Sequence, residues 1–60
     1  MECNIKIDMD NDAFIPDYKP ELARILDGLV KKLRDNDVEW RQIQLSDING
    51  HPVGEMVIRG

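Results

Sequence analysis

Residues 45–54 read LSDINGHPVG. The topology of the chain turns on whether Asn49–Gly50, inside this stretch, closes a hairpin. Asn-Gly is the strongest short hairpin signal, because both residues accept the positive φ that tight turns demand. Apolar residues flank it on both sides, so it predicts strands over about 38–47 and 52–59 running antiparallel. Two registers fit. A two-residue loop pairs Ile43 with Met56; a three-residue loop with a glycine bulge pairs Leu45 with Val53. The second is preferred, because it gathers Ile43, Leu45, Val53 and Val57 on one face. It then directs Trp40, Met56 and Ile58 to the other.

Working outward, Cys3, Ile5, Ile7 and Met9 alternate with Asn4, Lys6 and Asp8. That period of two marks a strand with one buried face, and Cys3 reads as a small core residue. A loop follows over 10–16, with Phe14 and Ile15 as plugs for one end of the core. Asp17 is a candidate N-cap, and Pro20 falls in the first helical turn, where its missing N–H costs nothing. Leu22, Ile25, Leu26, Leu29, Val30 and Leu33 recur at helical spacing to about Arg34, so they predict an amphipathic helix lying on a sheet. Gly28 falls on its exposed side.

The order β-α-β-β predicts a single α+β domain over 1–60. One helix packs on one face of a three-stranded sheet. With the third strand in the middle, the spatial order is 1-3-2.

Sixty residues bury only about 60% of the surface that the unfolded chain exposes. A core of this size supplies roughly 3–5 kcal/mol, which favours a binding module over an enzyme with a sizeable pocket. Twelve acidic against eight basic residues leave a formal charge of −4. Direct nucleic-acid binding depends on neutralising phosphates, so this balance disfavours it. It suits a protein partner with a basic surface instead. One cysteine excludes an internal disulfide. With no apolar run of spanning length and no signal peptide, the chain reads as a soluble protein of the cytoplasm that does not meet a membrane.

Asp8, Asp10 and Asp12 superficially suggest a calcium loop. An EF-hand loop starting at Asp8 would need glycine at its sixth position and glutamate at its twelfth; this chain has Ala13 and Lys19. No metal, cofactor or catalytic residue is therefore assigned. His51 reads as a solvated turn residue. Ser46 and Asp47 across the hairpin have nothing that would assemble a nucleophile with an oxyanion hole.

Two features remain as candidate partner-binding surfaces. The topology brings the end of the first strand, the start of the helix and the hairpin tip to one end of the sheet. Asp8, Asp10, Asp12, Asp17, Glu21 and Asp47 should then form an acidic rim, able to imitate a phosphate backbone in a basic groove. On the open sheet face, Trp40, Met56 and Ile58 should form an apolar patch that binds a partner or pairs two copies.

Three stretches, NIKIDMDNDAF (4–14), ELARILDGL (21–29) and LSDINGHPVG (45–54), resemble in order and spacing a group of very small proteins encoded by phages, prophages and their bacterial hosts. Members of that group open with a strand ending in DNAAF, continue with ELARIL and close with D-x-NG-x-x-VG. This chain departs from the pattern at Asp12, where alanine is usual, and at IPDYKP (15–20). Some small acidic phage proteins of similar build are anti-CRISPR inhibitors. The resemblance therefore implies a protein that binds a CRISPR effector and blocks DNA recognition. It transfers no functional residue. The alternative is a small homodimeric regulatory or accessory protein unrelated to CRISPR.

Overall fold

The computed structural model describes residues 1–35 and 37–60. In it, β1 (Glu2–Ile7) is followed by a single 3-10 turn (Asp12–Phe14), helix α1 (Tyr18–Leu33), β2 (Gln42–Ser46) and β3 (Pro52–Arg59). β3 pairs antiparallel with both other strands, so the sheet order is β1-β3-β2. α1 packs on one face. The expected β-α-β-β fold with a central third strand is the observed one.

The hairpin combines both expected registers. Gly50 has φ of 85°, while Asn49 stays at negative φ, so the two-residue turn with two positive φ values is not formed. The Gly50 N–H donates to the Asp47 carbonyl at 3.0 Å, and the Asp47 N–H donates to the His51 carbonyl at 2.9 Å. This is the three-residue loop with a left-handed glycine. Ser46 then faces Pro52, but Leu45 faces Gly54 and Ile43 faces Met56. An extra residue on β3, Val53, forms a bulge and shifts the pairing by one.

That bulge decides which side chains reach the core. A shift of one residue moves a strand's side chains to the opposite face. Val53 and Met56 both become core residues, and Met56 is the most buried of all at 1% exposure. Val57 moves to the far side. Met56 therefore does not belong to an open-face patch. Ile58 lies on the same face as Met56 and packs against the core edge. Gly54 is required beside the bulge: a Cβ there would run into the Lys6 carbonyl oxygen of β1.

Trp40 also departs from expectation. β2 starts only at Gln42, so strand alternation does not extend back to Trp40. The chain returns from the helix C-terminus, and the indole folds back against the core edge. Its N–H donates to the Lys32 carbonyl at 3.2 Å, which the Asp35 N–H also reaches at 3.2 Å, so the indole adds a second donor at the helix end. The open face is therefore polar: Asn4, Lys6, Gln42, Gln44 and Glu55 lie on the side opposite Met56.

α1 begins as expected. The Asp17 carboxylate accepts from the Lys19 N–H at 3.0 Å, and Pro20 sits in the first turn. Ile25 and Leu29 reach the core with Phe14, Ile43 and Leu45. Much of the expected helical stripe stays uncovered: Leu26, Val30 and Leu33 are 37%, 45% and 50% exposed. The cause is position. The Arg24 guanidinium reaches the Ser46 carbonyl at 3.0 Å, which holds the helix over β2. On the inner face of β1 only Ile7 packs against the core; Ile5 is 49% exposed, and Cys3 is exposed rather than in the core.

Two alanine substitutions test this geometry in opposite directions. Gly54→Ala should destabilise by about 3 kcal/mol or more, the upper range for overpacking, because its methyl meets the backbone of β1. Gly28→Ala meets nothing within 4 Å, and should stabilise by up to ~1 kcal/mol through helix propensity. Urea unfolding of the two variants measures both.

Candidate interaction site at the acidic end of the sheet

β1 runs toward this end, α1 starts from it, and the hairpin turn caps it. Side-chain hydrogen bonds fasten the three segments together there. The Asp47 carboxylate accepts from the N–H groups of Asn49 and His51, both at 2.9 Å, and from the Asn11 side-chain amide at 2.9 Å. The His51 Nδ1 lies 3.4 Å away. Asn11 in turn accepts from the Ala13 N–H and caps the 3-10 turn. The Glu21 carboxylate accepts from the Ile48 N–H at 2.8 Å and from the Arg24 Nε.

These bonds divide the expected rim into two groups. Glu21 and Asp47 face inward, with side chains 6% and 1% exposed. They tie the turn to the helix and the loop, and are not available to a partner. Asp8, Asp10, Asp12 and Asp17 are exposed. Asp8 accepts from the Asp10 N–H at 3.0 Å. Asp17 caps the helix and lies 3.3 Å from the Lys19 ammonium. Among the described residues, Asp10 and Asp12 have no side-chain hydrogen bond or ion pair. The free acidic surface is therefore the β1-to-α1 loop and the helix start, without the hairpin tip.

The electrostatics follow the same division. The Arg24 guanidinium lowers the Glu21 pKa below the usual carboxylate range; burial opposes this, and the Ile48 N–H adds to it. For Asp47, burial pushes upward most strongly. The N–H bonds from His51 and Asn49, the His51 ring and the Asn11 amide together outweigh it, so the net direction is down.

The bulge and the bare Cα of Gly54 also leave a depression on the polar sheet face. Its volume is about 710 Å³, and Lys6, Asp8, Gln42, Gln44 and Glu55 line it. The Gln42 amide donates to Glu55 across it. Among the described residues, no three His, Cys, Asp or Glu side chains converge as a metal site would require. Also among the described residues, no helix is long and apolar enough to cross a membrane.

Sequence reasoning placed the three segments at one end correctly. The Asn11 bond to Asp47 and the Arg24 bonds to Glu21 and Ser46 are not expected from the sequence. One signal was present: Asp two residues before Asn-Gly is a residue that bonds the backbone of its own turn. Trp40, Met56 and Ile58 are not brought together on the open face, and none of them adjoins the acidic end. No known protein family, curated protein or solved structure matches the chain.

The two inward carboxylates predict an acid-labile fold. Their folded pKa values lie below the unfolded values of roughly 3.9 for Asp and 4.3 for Glu. The unfolded state therefore binds more protons between the two sets of values. The stabilisation is fully present above about pH 5 and drains away as pH falls through 4 and below. Glu21→Gln should flatten that dependence and lower Tm at neutral pH. Asp47→Ala should lower Tm far more than Asp10→Ala, as thermal melts across this range would measure.

Proposed function

We propose that this chain is a non-enzymatic protein inhibitor of the anti-CRISPR type. It binds the basic DNA-recognition surface of a CRISPR effector and excludes DNA from it. The observation that carries this reading is the exposure of Asp8, Asp10, Asp12 and Asp17 at the end of a molecule with net charge −4. Their segments are held in place by the buried Asp47 and Glu21. A fixed set of carboxylates loses less entropy on docking than a mobile loop would. Spaced negative charges complement a groove built to neutralise phosphates. The resemblance of the three sequence stretches to small phage proteins supplies the partner class.

The second reading is a homodimeric accessory protein without a CRISPR partner. The bare apolar side chains of β1 and α1 favour it. The open sheet face is polar and does not.

Asp10 and Asp12 allow a clean test, because neither side chain supports the fold. The double variant Asp10→Lys, Asp12→Lys should keep its Tm and lose at least about tenfold in affinity for the effector, since reversing charge at a complementary interface costs over ~1.4 kcal/mol. Affinity of the unaltered protein should fall with added salt. Pull-down against CRISPR effectors, followed by competition with target DNA, measures both. Inhibition that survives the double substitution removes the groove-blocking mechanism. Absence of binding to any effector leaves the accessory reading in its place.

A further inference from the structure

We propose that two copies of this chain join edge to edge through β1, antiparallel about a two-fold axis at Asn4, into one six-stranded sheet. This goes beyond the partner reading above and uses none of its residues.

β1 is an outer strand with a fixed set of outward-facing backbone groups. The Asp8 N–H donates to the Val53 carbonyl at 2.7 Å, so even-numbered residues of β1 turn their N–H and C=O toward β3. In an antiparallel ladder the intervening residues turn theirs away. The groups of Cys3, Ile5 and Ile7 therefore point to the open edge. Native edge strands are blunted by proline, bulges or inward-pointing charge. β1 has none of these; it does carry Lys6, a residue type that also protects edges, and Glu2, and both lie on the polar face.

The sequence around Asn4 is self-complementary. With the axis at Asn4, Glu2 faces the partner's Lys6 and Lys6 faces the partner's Glu2. Cys3 faces the partner's Ile5 on the inner face, and each such pair exchanges two backbone hydrogen bonds. Moving the axis to Ile5 sets Glu2 against the partner's Asp8, a like-charge pair that cross-strand packing disfavours. A slip of one residue opposes polar to apolar faces.

The inner face supplies the burial. Arg24 reaches Ser46 on the β2 side of α1. At the helical turn of roughly 100° per residue, Leu22, Leu26 and Leu33 lie on the opposite flank, toward β1. In one copy Leu26 and Leu33 on that flank and Ile5 on β1 are exposed, while Leu22 is half-buried. In the joined sheet, the flanks of two helices close over the Cys3 and Ile5 side chains of both copies. The occupant is a second copy, because only a strand with this order of charges matches it twice.

Sedimentation equilibrium of the full chain should show a dimer. Lys6→Glu should raise its dissociation constant by about tenfold or more, since both cross-strand charge pairs become repulsive. Adding Glu2→Lys should restore it. In a Cys3→Ser background, Asn4→Cys should give a disulfide-linked dimer on mild oxidation. The two Asn4 positions form a non-hydrogen-bonded pair with Cα atoms about 4.5 Å apart, within disulfide range. The native Cys3 residues lie on a diagonal at roughly 7–8 Å, so the unaltered protein should stay unlinked. A monomer at all concentrations, a dimer indifferent to Lys6→Glu, or an unlinked Asn4→Cys variant would each overturn the proposal.

Discussion

The Asp47 carboxylate, 1% exposed, accepts hydrogen bonds from two backbone N–H groups of its own turn and from Asn11 across the chain. A buried charge is costly unless it is paired and hydrogen-bonded, so this arrangement either forms whole or not at all. Through it, the hairpin turn fixes the loop after β1. Glu21 repeats the device from the helix, accepting from Ile48 in the same turn. Three connections that would otherwise be independent bends therefore share one set of donors and acceptors. The exposed aspartates around them inherit fixed positions from groups that are themselves hidden.

The same end of the molecule determines what the core can contain. The three-residue loop starts β3 in one register, and the Val53 bulge shifts it before the strand is half run. Without the bulge, Met56 would face water and Val57 would face the helix. With it, the strand delivers Val53 and Met56 to one side from positions three apart. Gly54 is what lets β1 close over this irregularity. Among the described residues, five buried apolar side chains then lie under Ile25 and Leu29 of α1. One helix of 16 residues, held over β2 by Arg24 and Trp40, does not also cover β1. The bare strand follows from the geometry of a short chain, and it is what gives a second copy something to cover.

The fold was legible because its signals are local and redundant. Alternation in 3–9, a capped 3.6-residue stripe and an Asn-Gly turn fix element type and order. The bulge was not legible: it leaves no letter of its own, and Gly54 admits several explanations until the neighbouring strand is placed. Trp40 departs from expectation because strand alternation does not extend back past Gln42, the start of β2. The acidic residues were placed at the right end, but sequence does not tell an aspartate that solvates a loop from one that bonds the loop's backbone. Asp10 lies one residue before an asparagine and Asp47 two residues before one, both in turn-like surroundings. Only the second has N–H groups aimed at it.

The two surfaces differ in physical character and in place. The acidic surface is charged, hydrated and terminal, and its attraction acts at a distance and weakens with salt. The β1 edge is a row of backbone groups flanked by apolar side chains, which act only on contact. Antiparallel joining at Asn4 would also reverse the second copy end for end. Each acidic end would then lie alongside the end of its neighbour that carries Lys31, Lys32 and Arg59, and the two acidic ends would point away from each other. The pair carries eight excess negative charges, and this arrangement keeps its two acidic groups apart. It leaves both aspartate groups uncovered, because the joining strand meets its twin mid-length. Pairing and partner recognition are therefore compatible in one molecule: the contact that covers β1 takes nothing from the charges that face outward.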